Sequence, residues 1–561
     1  RHRPEKFSDF RRVLAEIEKH PNRYYFILKS IIVNNLYGVD IMEEAVEICK
    51  LRLFLKLVAQ VEKVKDLEPL PDIDFNIRPG NTLVGFARLD DVKRTLDGKL
   101  GFKKGQVDQI SEEAEFYVAR AYRRFHEMQT VHNMAARDFA DTKRDLRSRL
   151  AHLTEQLDRY LATEYGISKS IITDENKYQK AFQQWRTSHQ PFHWFAEFYE
   201  IMNRSGFDVM IGNPPYVEYK EVRKAYQIKG YTTEPCGNLY AFTWERSIAL
   251  ANQSGRIGLI IPVSSVSTDG YAALRKVWLS SGNLVVSNFN DRPGKLFDGL
   301  EHIRLAIVLL SKCKDSPRSV YTTTYGKWFS EARVYLFESL SFTKATPLIR
   351  DGSLPKVGVD IEAVILRKAS ASTKQLQYFE SASGRNRILY TRKLSWFVQV
   401  LDFVPSIVDE NGRKRDPSEL KEVLVSNEHQ RNAFLCALNS TLFYWLLTVW
   451  SDCRNLNKRE VLGFQLDFDT LNNKVCKKLN ELAPRLMQDL RKTSKILEMK
   501  YKNWGVMKIE CIYPKLSKAI LDEIDRVLAR HYGFTDEELD FIINCDIKYR
   551  MGQDSGEDQG E

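Results

Sequence analysis

The chain has 561 residues, 43% of them hydrophobic and 11% aromatic, and its 84 Lys and Arg against 74 Asp and Glu give a formal charge of +10. That length holds two to four domains with sizeable cores. The longest apolar runs, such as residues 257–263, are far short of a membrane span, and the charged start Arg-His-Arg-Pro-Glu-Lys is no secretory signal. Eight scattered cysteines include no Cys-x-x-Cys pair. This argues against a disulfide framework or a zinc site and for a reduced, cytoplasmic protein. The segment 551–561 is acidic, so the body is more basic than the total, as suits a polyanionic partner.

Residues 5–30 read as helix. Residues 31–40, from Ile31-Ile32-Val33 to Asp40, read as a strand ending in a carboxylate, and 43–58 as a helix with Val46, Cys49, Leu53 and Leu57 on one face. A short strand at 74–77 runs into Gly80-Asn81-Thr82-Leu83. Residues 106–200 are polar and poor in Gly and Pro. There Leu146, Leu150, Leu153, Leu157 and Tyr160 are spaced either for a helical-hairpin seam or for an amphipathic helix on the main domain.

A strand resumes at Phe207, followed by a helix over 239–251, a buried strand over 255–262 and a helix over 271–281. Residues 284–289 and 304–311 read as an antiparallel pair at the sheet edge. After about residue 320, basic clusters such as Tyr390-Thr391-Arg392-Lys393 and Arg413-Lys414-Arg415 alternate with short strands. Residues 433–450 read as an apolar core helix and 470–505 as a basic one. The expected domain boundary lies at 320–340, and disorder is expected from about 551.

The most informative stretch is Phe207-Asp208-Val209-Met210-Ile211-Gly212-Asn213-Pro214-Pro215-Tyr216. A strand ending in Asn-Pro-Pro-Tyr sets a fixed loop at the C-terminal edge of a sheet, where ligands bind in open α/β folds. The two prolines fix φ and remove two backbone donors, leaving carbonyl oxygens for a ligand. Asn213 adds an acceptor and Tyr216 a flat face, a pocket for a planar group bearing an exocyclic NH2. The plainer reading of Asn-Pro-Pro is a surface turn.

This stretch resembles the catalytic motif of amino-type DNA methyltransferases, the adenine-N6 group. The layout around it is similar to the methyltransferase and target-recognition part of type IIG restriction-modification enzymes. The resemblance implies a Rossmann-like, S-adenosylmethionine-dependent methyltransferase sheet (α/β), a helical insertion, and a C-terminal α+β target-recognition domain. The expected segments are 1–105 and 201–320 for the methyltransferase, 106–200 for the insertion, 321–550 for target recognition and 551–561 for an acidic tail. Asn213, Pro214, Pro215 and Tyr216 would act on an adenine flipped out of double-stranded DNA. Asn213 and the Pro214 carbonyl would accept from its amino group, while Tyr216 stacks on the ring. Phe297, within 290–310, would offer a second wall.

For the cofactor, the resemblance implies that Asp40, with Ile41, holds the ribose of S-adenosylmethionine. Asn81 and Thr82 would meet its adenine, and Tyr240 and Phe242 of Leu239-Tyr240-Ala241-Phe242 would pack on it. The ordinary reading of Tyr240 is a core helix residue. The segments Asn439–Trp445 and Asp452–Glu460 are similar to stretches of target-recognition domains. One departure stands out: no Gly-x-Gly turn precedes Asp40, and the chain starts at Arg1 rather than Met. The first strand of the sheet is therefore expected to be missing. An upstream polypeptide or subunit would supply it, and the chain alone would bind cofactor poorly, leaving a DNA-binding specificity fragment as the alternative.

Overall fold

In the computed structural model, residues 8–63, 70–97, 106–130, 136–300, 302–314, 318–372, 374–501 and 505–552 are described. The chain divides into two compact units, Arg1–Ile257 and Gly258–Glu561. Most of the acidic tail (553–561) lies outside the described residues.

The first unit opens with helices α1 (Ser8–Lys19) and α2 (Arg23–Asn35), then β1 (Gly38–Asp40), α3 (Glu43–Val58) and β2 (Ile77–Pro79). β1 and β2 pair in parallel, Gly38 opposite Ile77 and Asp40 opposite Pro79. The strand expected from Ile31 is thus corrected: residues 31–35 finish α2, and only Gly38–Asp40 are extended. Tyr25, Ile32 and Val33 fall at helical spacing and are all buried. Tyr25 and Ile32 join Val46, Leu57, Ile73 and Ile77 in one cluster. That burial overrides the β preference of a local Ile-Ile-Val run. The second expected strand likewise shifts from 74–77 to Ile77–Pro79, because residues 74–76 turn.

Most of the described residues of 106–200 are helical, the longest elements being α4 (Ala136–Glu164) and α5 (Glu175–His189). Leu146, Leu150, Leu153 and Leu157 are buried in one core with Phe125, Phe75, Val84, Phe86 and Phe192. The leucine seam therefore serves both readings, facing a neighbouring helix and the loop after β2. Each such leucine is worth roughly 1.5–3 kcal/mol of burial.

β3 (Phe207–Gly212), α6 (Leu239–Leu250) and β4 (Ala251–Pro262) follow, with β3 beside β4. Gly206, just before β3, sits at φ +114°, and a Cβ there would lie 2.1 Å from the Leu250 carbonyl oxygen. Only glycine permits that approach. β3 ends its sheet, and its Val209 and Ile211 side chains are 59% and 83% exposed.

In the second unit the sheet order is β4, β6 (Leu305–Lys312), β5 (Gly282–Phe289), β7 (Val320–Gly326) and β8 (Thr343–Lys344), with helix α7 (Ala272–Ser281) preceding β5. β5 and β6 are antiparallel over their whole length, as the sequence suggests. They do not form the edge, because β5 also pairs in parallel with β7. Two three-stranded sheets come next in the same unit. One is ordered β10 (Val400–Leu401), β9 (Asn386–Thr391), β12 (Leu420–Val425). The other is ordered β11 (Ile407–Asp409), β14 (Gly505–Cys511), β13 (Lys495–Tyr501).

The expected core helix at 433–450 is two helices, α8 (Glu428–Asn439) and α9 (Thr441–Trp450), bent by 64°. Ser440 makes the break by capping α9, its hydroxyl accepting from the Phe443 N–H at 3.1 Å. The pair is buried in the unit's core, and no single helix among the described residues is long and apolar enough to cross a membrane. The expected basic helix over 470–505 stops at Lys492 as α10 (Asn473–Lys492), and residues 495–511 form the β13–β14 hairpin. The helix α11 (Lys518–Tyr532) then packs into the same core.

Candidate active site

Asn213 follows β3 directly and is exposed. Pro214 is buried, Pro215 exposed and Tyr216 half-buried. Asparagine and aspartate side chains ordinarily turn back to accept the N–H two residues on. This chain does so repeatedly: Asn81 accepts from Leu83, Asn252 from Ser254, Asn427 from His429 and Asn472 from Lys474. At Asn213 the residue two on is Pro215, which has no N–H. Its Oδ1 instead receives the Tyr216 hydroxyl, which donates at 2.6 Å. The Tyr216 ring meets Tyr240 edge-on, centroids 6.3 Å apart at 84°. Burial pushes the Tyr216 phenol up to about 12.

The segment leaving the loop is tied down. Tyr219 N–H donates to the Gly237 carbonyl and Leu239 N–H to that of Val217, at 2.9 and 3.0 Å. Leu83, Tyr219, Ile228, Leu239 and Phe242 form one apolar cluster. Phe242 is fully buried between Tyr219 and Tyr231, with centroids at 5.1 and 5.3 Å. Its role here is packing that joins α6 to the loop. Tyr240 is also buried, behind Tyr216.

Asp40 and the Gly80–Leu83 loop meet at the C-terminal ends of β1 and β2, where Gly80 N–H donates to the Asp40 carbonyl at 2.8 Å. The Asp40 carboxylate is exposed and accepts the Met42 N–H, and Ile41 beside it is exposed. Asn81 is buried, its N–H donating to the Gln190 carbonyl and its Oδ1 accepting from Leu83. The Thr82 carbonyl accepts from Trp194 Nε1 at 3.3 Å. The Leu83 carbonyl takes two donors, the Tyr231 hydroxyl at 2.8 Å and Arg246 Nη2 at 3.2 Å. Gly85, at φ +135°, lies against the Phe192 carbonyl, only 2.1 Å from where a Cβ would sit. Gln190, Trp194, Tyr231 and Arg246 hold this loop from more than 100 residues away, so no local pattern reveals them.

The structure thus gathers Asp40, Ile41, Asn81 and Thr82 at one strand end, and Asn213, Tyr216 and Tyr240 at another, within one unit. Phe297 lies half-buried in the β5–β6 loop of the second unit. In that unit Asn439 is buried, its amide donating to the Val400 and Leu435 carbonyls. Most of Asn439–Trp445 is core packing. Arg392, Lys393, Arg413, Lys414, Arg415, Arg454 and Lys458 are exposed.

Residues 34–292 match the Eco57I restriction-modification methylase family. That stretch holds Asp40, the Asn81 loop, Asn213–Tyr216 and α6. A Methanocaldococcus jannaschii protein named as a type II restriction enzyme and methyltransferase is 30% identical over 304 residues, 47% of this chain and 26% of that protein. The chain spans about a quarter of the length of this curated relative. Among solved structures, the type IIL restriction-modification enzyme MmeI in complex with DNA aligns over 96% of this chain and 78% of that one, at 11% identity and TM-score 0.36. A nuclease-deletion mutant of the type ISP enzyme LlaGI, with a DNA substrate mimic, aligns over 89% of this chain and 66% of that one, at 10% identity and TM-score 0.33.

Proposed function

We propose that the methylase domain transfers a methyl group from S-adenosylmethionine to the N6 amino group of an adenine flipped out of double-stranded DNA. It would act in a cytoplasmic restriction-modification or phage-defence system. The observation that carries this reading is the Asn213 carboxamide, exposed at a strand end with the i+2 N–H removed by Pro215 and its oxygen bonded to the Tyr216 hydroxyl. Asp40 and the Gly80–Thr82 loop are suited to the cofactor's ribose and adenine, since the exposed carboxylate and the loop share one edge. The cofactor supplies an electrophilic methyl on a sulfonium.

The chain's own residues then act on the base. Asn213 Oδ1 and the Pro214 carbonyl accept the two N6 hydrogens, which turns the nitrogen lone pair out of conjugation and toward the methyl. Tyr216 carries the ring. Held acceptors of this kind act mainly through preorganisation. In the second unit, the exposed Arg and Lys side chains of residues 321–550 would contact phosphates, giving salt-dependent affinity.

A second reading keeps the same site but makes it incomplete alone. β3 is an open edge with exposed Val209 and Ile211, and β1 has no second partner strand among the described residues. The two strands start close together, Tyr37 meeting Phe207 with ring centroids 6.1 Å apart. On α3, Ile48, Leu51 and Leu55 expose an apolar stripe. Open edges with apolar flanks invite another strand. An upstream polypeptide or a subunit would fill this place, and without it the chain would act as a DNA-binding specificity fragment.

The test is transfer of labelled methyl to mixed duplex DNA by this chain and by the chain joined to its upstream coding sequence. Label recovered as N6-methyladenine and lost in Asn213→Ala supports the reading. Transfer only by the longer form supports the completed sheet. Label on cytosine N4, on protein or on RNA, or no transfer by either form, would refute adenine methylation of DNA.

A further inference from the structure

Two side chains of the Asn213–Tyr216 loop are coupled in a way that stacking alone does not require. A carboxamide has an acceptor end and a donor end of nearly equal shape, so an exposed asparagine can present either. At a site that must accept from an amino group, presenting the NH2 would place donor against donor. At Asn81 and Asn252 the i+2 backbone N–H settles the choice, donated by Leu83 and Ser254. Pro214 and Pro215 remove both N–H groups that follow Asn213. The donor that meets Oδ1 is the Tyr216 hydroxyl, at 2.6 Å.

We infer that Tyr216 is a positioning residue as well as a stacking surface: its hydroxyl fixes the Asn213 carboxamide with the oxygen toward the target amino group. This rests on the methyltransferase reading of the site. The carbonyl oxygen has two lone pairs, so the tyrosine takes one and leaves one for N6. The same contact sets the oxygen beside the ring on which the base lies, linking the choice of acceptor to the plane of stacking. The Tyr240 ring packed edge-on against Tyr216 holds that plane.

A carboxylate has two equivalent oxygens and needs no such selection, and this gives the test. Single-turnover methyl transfer is measured for Tyr216→Phe, Asn213→Asp and the double variant, in whichever form of the chain transfers methyl to DNA. Tyr216→Phe keeps the ring. In the Asn213 background it is expected to slow transfer about fivefold, the worth of one ordinary hydrogen bond, with the KM for DNA within about twofold. In the Asn213→Asp background the same change is expected to cost less than about twofold. Equal losses in both backgrounds, no loss beside Asn213, or a change confined to KM would overturn the orienting role while leaving the methyltransferase reading standing. Absence of transfer from every form would remove that reading, and the inference with it.

Discussion

Asn81 and Asn213 follow two strand ends of the same unit and spend their side chains in opposite ways. Asn81 is buried, its oxygen closed onto the Leu83 N–H and its backbone N–H bonded to Gln190. It shapes a loop that Trp194, Tyr231 and Arg246 also hold. Asn213 is exposed, and the residue that would close the same turn is proline. One residue type therefore gives a structural cap in one place and a presented acceptor in the other. The difference lies in whether position i+2 carries an N–H. An amide has one acceptor oxygen for which the i+2 N–H competes, and Pro215 removes that competitor at Asn213.

The comparison breaks most sharply at Asn213. Asn213→Ala removes the presented acceptor and is expected to lower methyl transfer by about 10² to 10³, the scale for loss of one preorganised group at a developing charge. Thermal unfolding should hardly move, because the side chain is exposed. Asn81 should behave in reverse. Asn81→Ala opens the Asx turn and leaves the Leu83 N–H, in a buried residue, without its acceptor. A loss of about 1–3 kcal/mol in chemical denaturation is expected, together with weaker binding of S-adenosylhomocysteine. Asn81→Asp keeps an acceptor oxygen, so most of the loss of turn stability should be spared. Equal stability effects at Asn81 and Asn213 would end the contrast.

The smallest effect is that of pH. Burial pushes the Tyr216 phenol up to about 12 from the ordinary 10.0 of a tyrosine. The folded chain keeps that proton longer than the unfolded one, so this group leaves stability unchanged below about pH 10 and lowers it as pH rises from about 10 to about 12. Denaturant midpoints taken through that window should fall less in Tyr216→Phe than in the unaltered chain. Between about pH 7 and pH 10 the donor hydroxyl stays protonated, and no step in the transfer rate should trace to it.

Much of this was legible in the sequence, for identifiable reasons. The run from Phe207 to Tyr216 announces a strand and a rigid loop, since a short apolar run followed by paired prolines leaves few alternatives. Asp40 and Asn81 were correctly placed at strand ends, although β1 is only three residues long. The segment Ile31–Asn35 misled because a β-branched run fits a buried helix face as well as a strand, and Val46, Leu57 and Ile77 decide between them from afar. The β13–β14 hairpin escapes a sequence reading because Leu497 continues the helical spacing of Leu479, Leu482, Leu486 and Leu490 past Lys492. Ser440 looked like one polar residue in an apolar helix and is in fact a cap that divides two. The bond from Tyr216 to Asn213 was within reach of sequence reasoning: asking which N–H the Asn213 oxygen would normally take leads at once to Pro215.

The most direct test of the central claim is single-turnover methyl transfer by Pro215→Ala beside Pro214→Ala. Both variants relax the loop and add one N–H, but the N–H at position 215 is the one in the i+2 register that captures the oxygens of Asn81, Asn252, Asn427 and Asn472. The account predicts that Pro215→Ala slows transfer about tenfold and that Pro214→Ala costs clearly less. Equal losses, or a larger loss from Pro214→Ala, would mean that the prolines act only by stiffening the loop, and that keeping the Asn213 oxygen from the backbone is not what makes this site work.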